Sequence, residues 1–447
     1  MSGGDPGIGR RHILAGLVGG AAVLPVAARA QGATDALVPN AAHDQSVRLQ
    51  EMLDAASAED AELVLPAGRY LVSGLFLPRA TRLRGVPGAT VLAFSGGGFL
   101  MLGESVEHVS LEGIVFEGSG LPIGDAARAL VRINGAARLA IRDCTFEHTA
   151  ATGLWLERAS GRVERCTVRD CGEAAIYALD SAGLAIAGND VSDCADNGIL
   201  VHRSEPGADG TLVTGNRIAR IGARSGGTGQ NGNGINVFRA DGVGVSDNHV
   251  SDCAFSAIRG NAASNIRIAG NTCLASGETA IFSEFAFEGA VITGNLVDGA
   301  AHGINVVNLN EGGRLATVTG NLVRNLKPDA PYPPELMGFG VGISVEADAA
   351  VSGNTVENAP VCGISIGWGP YMRNVAVTGN MVRGAPKGIV VTVADGAGAA
   401  LIASNLVADT PDGAIVAHRW EEAASGDLVD GGAEEFPGLT VAGNRRV

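Results

Sequence analysis

Aromatic residues are scarce in this 447-residue chain, at 4%, and so are basic ones: 32 Lys and Arg stand against 47 Asp and Glu. The formal net charge is −15, an acidic surface that repels nucleic acid and anionic lipid and excludes them as expected partners. No run approaches the roughly 18 apolar residues of a membrane span. No Cys-x-x-Cys is present, and the seven cysteines, Cys144, Cys166, Cys171, Cys194, Cys253, Cys273 and Cys362, are odd in number and follow neither zinc-ligand nor disulfide-scaffold spacing. Gly-x-Ser-x-Gly, phosphate-loop and metalloprotease signatures are also missing.

What is abundant is glycine, with 66 residues, about twice ordinary usage, in a chain that is 46% hydrophobic. Plentiful Ile, Val and Leu exclude disorder and point to regular repetition. The N-terminus is set aside first. Gly9-Arg10-Arg11-His12-Ile13-Leu14-Ala15 precedes a mostly apolar stretch to Val26, and Ala28-Arg29-Ala30 is a small-x-small site. Residues 1–30 therefore read as a signal peptide cleaved after Ala30, and the adjacent arginines resemble the twin-arginine export signal. Its flanks depart from that pattern: Gly9 stands for Ser or Thr, Ile13 for Phe and Ala15 for Lys. The mature chain, with 29 basic and 46 acidic residues, carries −17 and is expected in the periplasm or outside the cell.

A first segment, 31–108, opens with a helix for which Asp44 or Ser46 is the expected cap, with Val47, Met52, Leu53 and Ala56 at helical spacing. Short β-rich runs broken by Pro-Ala-Gly, Pro-Arg and Pro-Gly follow over 61–94. From about residue 109 to 447 a repeat of about 23 residues takes over. One register is Asn189, Asn216, Asn248, Asn271, Asn295, Asn321, Asn354, Asn380, Asn405 and Asn444, mostly after Gly. The other is an Ile or Leu after Gly or Ala, running from Leu154 and Ile176 through Ile304 to Ile415.

Each unit holds three short runs with period-2 alternation and cannot bury its apolar face alone. The fold predicted is all-β: a right-handed parallel β-helix, a solenoid of about 12 coils with an N-terminal capping helix. Coils about 4.8 Å apart turn each position into a column. The asparagines are expected at left-handed turns, bonding along the axis, and the Ile column in the core. Cys144 and Cys166 take asparagine positions; Cys171, Cys194 and Cys253 share another column and read as small core filler, with a disulfide or bound metal as the alternative.

The paired arginines, the helix with its "LPAGRY" and the repeat together resemble a family of twin-arginine-translocated β-helix repeat proteins, related to NosD-like and pectin-lyase-like β-helices. The resemblance implies fold and export over nearly the whole chain, and little about function. Related β-helices include carbohydrate lyases, hydrolases and epimerases and also non-catalytic members. The pectate-lyase Arg-x-Pro-x-x-Arg and the epimerase Asp-Pro-His-Asp are absent. The polygalacturonase Gly-His-Gly has only the echo Ala301-His302-Gly303, without paired aspartates.

The residues one and three places after each inward Ile point outward. The first such column holds Trp155, Tyr177, Asn236, Arg259, Phe282 and Asn305; the second holds Asn261, Glu284 and Glu346. Flat rings and planar polar groups suit a sugar, so a polysaccharide or oligosaccharide is the expected partner. Insertions at 222–233 and 326–340 are expected to rise beside this face and bracket the coils of Ile258, Ile281 and Ile304. Asn236, Asn261, Phe282, Asn305, Trp155 and Tyr177 are the candidate binding residues; Glu284, Arg259, His302 and Glu346 are the candidate catalytic ones. Glu284 and Glu346, two coils and about 10 Å apart at the backbone, approach the carboxylate separation of inverting glycosidases. Arg259 or His302 is the alternative, as the base of a β-elimination. No metal or cofactor ligand set is visible, and twin-arginine export leaves a bound one open. A non-catalytic β-helix that binds a glycan or partner is the second function class.

Overall fold

The computed structural model describes residues 37–331 and 339–447. The expected signal peptide, and residues 332–338 of the second insertion, lie outside them. The alternating runs fold as one right-handed parallel β-solenoid of about 14 turns, rather than the 12 read from the repeat. The additional turns lie in the irregular segment over 63–104, where no asparagine marks the period.

One coil shows how the sequence makes the turn. Glu288–Thr293, Leu296–Asp298 and His302–Val306 are short strands separated by tight corners. Ile292, Val297 and Ile304 point inward and are fully buried. Each strand pairs in parallel with its counterpart in the next coil, so three sheets of 15 strands run the length of the solenoid. The first sheet takes the strand after each long corner, the second follows the asparagine, and the third carries the Gly-Ile strand. Only the last pair departs: Ile415–Arg419 and Glu422–Asp427 are antiparallel, a hairpin that closes the third sheet.

The asparagines form an unbroken ladder. Asn295 Nδ2 donates to Asn321 Oδ1 at 3.0 Å and to the Ile268 carbonyl at 3.1 Å, and the Asn295 amide donates to the same Oδ1 at 2.9 Å. The pattern runs from Asn189 to Asn444. The left-handed conformation falls one residue earlier than expected, on Gly294 at φ +63° or on Asp247 and Ser404 at +58°. A Cβ on Gly294 would touch nothing within 4 Å, so this glycine serves backbone angle alone. The glycine of the Gly-Ile strand has another reason: a Cβ on Gly303 would lie 2.1 Å from the Gly342 carbonyl. All seven cysteines are free and buried. Burial holds the Cys273 and Cys362 thiols up at about 12, as core filler.

The helix Ser46–Ala58, α1, buries Leu49 and Leu53, whereas Val47 is 75% exposed, against the spacing read from sequence. Its buried face is set by the first coil. Gln50 Oε1 accepts from the Phe76 amide and its Nε2 donates to the Phe76 carbonyl, replacing the missing neighbour of that edge strand. The helix N-cap is Gln45, without a side-chain cap bond; Asp44 instead accepts from the Ser46 amide.

Candidate functional site

Strand register places the outward columns as read. Trp155, Tyr177, Leu200, Asn236, Arg259, Phe282, Asn305 and Ser344 are successive partners on the third sheet. The face is not a flat wall: loops cover parts of it, and two of the pockets along it gather the residues singled out in the sequence.

The smaller pocket, about 310 Å³, holds Asn236, Arg259 and Asn261, with His202, Phe238 and Phe285. The first insertion closes over it through Gly229, whose carbonyl accepts from Arg259 Nη1 at 3.1 Å. A Cβ there would lie 1.8 Å from that nitrogen, so only glycine lets the loop descend. Arg259 also donates from Nε to Glu284 at 2.6 Å and from Nη1 to Glu278 at 3.3 Å. All three side chains are buried, and Asn261 Nδ2 adds a 3.0 Å bond to Glu284. Burial pushes the Glu284 carboxyl up, against the pull of Arg259. This buried cluster anchors the loop; a guanidinium held by two carboxylates is a poor proton acceptor. His202 and Phe238 of the lining continue an aromatic row from Trp155 and Tyr177, successive rings meeting edge-to-face with centroids 4.2, 5.1 and 5.5 Å apart.

The larger pocket, about 380 Å³, lies toward the C-terminal end and holds His302, Asn305 and Glu346. Glu284 lines neither pocket, so the proposed Glu284–Glu346 pairing does not converge on one cavity. His302 Nε2 meets Ser344 Oγ at 3.0 Å. Glu346 accepts from the Leu309 amide at 2.7 Å, and burial lifts its carboxyl above the ordinary range. Three further lining residues, Trp368, Lys387 and Trp420, escaped the reading of the sequence; His418, on the second outward column, lines the pocket as well. His418 is buried with Nε2 unpartnered among the described residues, and burial followed by the Lys387 charge pushes its imidazole down toward the neutral form.

Trp368 and Trp420 form the pocket wall, 47% and 51% exposed, with ring centroids 5.7 Å apart and edge-to-face. Trp420 occupies the turn of the terminal hairpin at φ +58°, strained for a bulky residue. Its indole passes over Gly369, where a Cβ would lie 2.4 Å from the ring. The turn that carries Trp368 is closed by paired bonds between the backbones of Trp368 and Tyr371, and Thr392 Oγ1 ties it down through the Gly369 carbonyl at 2.7 Å. Both indoles are thus held in place from beneath.

Known proteins resemble the chain in architecture. A model of the right-handed β-helix region matches residues 97–228. The likeness is one of fold. The N-terminal fragment of bacteriophage phi29 gene product 12 superposes with a TM-score of 0.57 at 14% identity, over 84% of this chain and 66% of that one. The pre-mature form of that product gives 0.54 at 14% identity, over 91% and 55%. This chain thus spans between half and two thirds of their length. The A-module of an Azotobacter vinelandii mannuronan C-5 epimerase gives 0.45 at 15% identity, over 91% and 96%. No curated protein sequence matches the chain. No helix among the described residues is long and apolar enough to cross a membrane.

Proposed function

We propose that the protein binds a carbohydrate chain along the outer face of the third sheet and acts on it in the larger pocket. The observation that carries this reading is the pair of exposed indoles, Trp368 and Trp420, fixed over a polar floor of Asn305, Ser344, Glu346, Ser365 and Lys387. Flat apolar rings suit the C–H face of a pyranose, and the floor offers donors and acceptors for its hydroxyls. Two of the titratable groups that line the pocket are tuned in opposite senses. His418 is pushed toward its neutral form by burial and has a nitrogen unpartnered among the described residues, as a proton acceptor requires. Glu346 is held toward its protonated form, as a proton donor requires. Hydrolysis, elimination and epimerisation each use such a pair.

Incubating the protein with a panel of polysaccharides and reading new reducing ends and unsaturated products tests this. Turnover on one substrate, lost in both Glu346→Gln and His418→Asn, is the expected result. Tight binding without products favours the second reading, a non-catalytic glycan binder. That reading draws on Arg259, Glu278 and Glu284, which are engaged with one another. We further propose that residues 1–30 direct export. N-terminal sequencing of the protein from periplasm should begin at Gln31, and Arg10→Lys with Arg11→Lys should retain it in the cytoplasm.

A further inference from the structure

The smaller pocket sits on the same sheet, with Asn236 and Ser344 four stacking steps apart in one column, about 19 Å. Two polar groups there are left over once the cluster around Arg259 is accounted for. Asn236 is only 5% exposed, lines the pocket, and its Oδ1 has no hydrogen-bond partner among the described residues. His202 lines it too, and its Nε2 has none either. A buried carboxamide left unsatisfied is costly and is uncommon in a settled core. Along the ladder of the same molecule every asparagine from Asn189 to Asn405 is bonded to the next. The open acceptor of Asn236 therefore marks a place where a donor arrives from outside.

Charge narrows what brings it. Arg259 faces the carboxylates of Glu278 and Glu284, both buried, so the pocket wall carries no surplus positive charge. Arg239 is absent from the lining; it stacks on Phe238 at 4.7 Å and donates to the Ser204 carbonyl at 3.0 Å. An entering carboxylate would find Arg259 already neutralised by these two carboxylates, which lie outside the lining, and an acceptor oxygen at Asn236, with its desolvation uncompensated. A hydroxyl-bearing, uncharged ligand meets an acceptor at Asn236, an imidazole at His202, and the rings of Phe238 and Phe285.

We infer that the smaller pocket is a second sugar subsite, distinct from the larger pocket, and that it selects a neutral sugar over an acidic one. The inference rests on the reading of this face as carbohydrate-binding. The subsite would hold a chain some four coils from the larger pocket and set which polymers are retained.

Calorimetric titration of the full chain with cellohexaose, mannohexaose, maltohexaose and hexagalacturonate tests it. At least one neutral hexasaccharide should bind, and hexagalacturonate about ten-fold more weakly or not at all. Asn236→Leu should weaken that binding about ten-fold, the loss of one buried hydrogen bond, and Phe285→Ala, at an exposed position that leaves the core intact, by about three-fold. Trp420→Ala should leave a second, weaker binding phase that Asn236→Leu removes. Binding lost in Trp420→Ala and unchanged in both Asn236→Leu and Phe285→Ala refutes the subsite while the larger pocket stands. Preference for hexagalacturonate refutes the neutral selection alone. Binding of none of the four refutes both readings.

Discussion

The asparagine corner and the outer face of the third sheet share one period and one backbone, yet they differ in how completely their polar groups are satisfied. At the corner each carboxamide donates to the next asparagine and to a carbonyl, and its oxygen receives two N–H groups. On the face, Trp155 Nε1, His202 Nε2, Asn236 Oδ1, Asn305 Oδ1 and His418 Nε2 are buried without partners among the described residues. The first pattern closes on itself; the second is open to something outside. Repetition selects residues for stacking on copies of themselves, whereas binding selects residues that leave hydrogen-bonding capacity unspent.

That contrast can be broken at the corner. Replacing Asn295 by Ala strands the Asn271 amide and takes a donor from the Ile268 carbonyl, both in the buried interior, while Asn271 Nδ2 keeps only the Val245 and Ala269 carbonyls. Stability should fall by about 4 kcal/mol, each orphaned group contributing about 1–3, seen as a lower urea midpoint. A neutral change with unaltered midpoint would show that the ladder carries no strength.

The face has its own cost, and acid exposes it. Burial pushes the His202 imidazole down to about 4 from an ordinary value near 6.5. The unfolded chain therefore binds the proton first. The stability His202 permits is whole above about pH 6.5 and is lost as pH falls toward 4, by roughly 3 kcal/mol. Melting at pH 7 and pH 4.5, wild type against His202→Gln, should show a smaller acid loss in the variant. Equal losses would place the acid sensitivity elsewhere.

The two glycines of the repeat sharpen the comparison further. Gly303→Ala puts a Cβ 2.1 Å from a backbone carbonyl and should cost about 2 kcal/mol as overpacking. Gly294→Ala meets no atom and should cost about 1 kcal/mol, the strain of a left-handed L-residue. Calorimetric melting should rank them so. The smallest effect belongs to the thiols. The native protein should leave all seven cysteines unreacted with a thiol reagent, reductant should not shift its melting temperature, and seven should react after unfolding.

The architecture was legible because periodicity is a one-dimensional signal. Once Ile304 is placed inward, Asn305 must point out, and register carries that assignment from Trp155 to Ser344. The corner was legible in part: the ladder was foreseen, but the left-handed turn belongs to the residue before the asparagine. The site was harder to read. Asn236, Arg259 and Asn261 do gather in one pocket, and His302, Asn305 and Glu346 in another. The first of these is closed by Gly229 descending on Arg259, a contact made by a loop outside the period. Glu278 reaches Arg259 from a corner rather than from its own column. Trp368 and Trp420 were missed for the same reason, since each sits in a turn that interrupts the repeat. The signal available was rarity: the chain has three tryptophans, and two of them follow or face Gly367 and Gly369.

The most direct test sets building against binding in one experiment. Wild type, Asn295→Ala and the Trp368→Ala, Trp420→Ala pair are titrated at 15 °C with the polysaccharide that binds tightest, and each is melted. The ladder variant should melt earlier and bind as wild type does. The tryptophan pair should melt with wild type and bind about ten-fold more weakly, ~1.4 kcal/mol. Equal binding by the tryptophan pair, or binding lost together with stability in the ladder variant, would contradict the separation of scaffold from site.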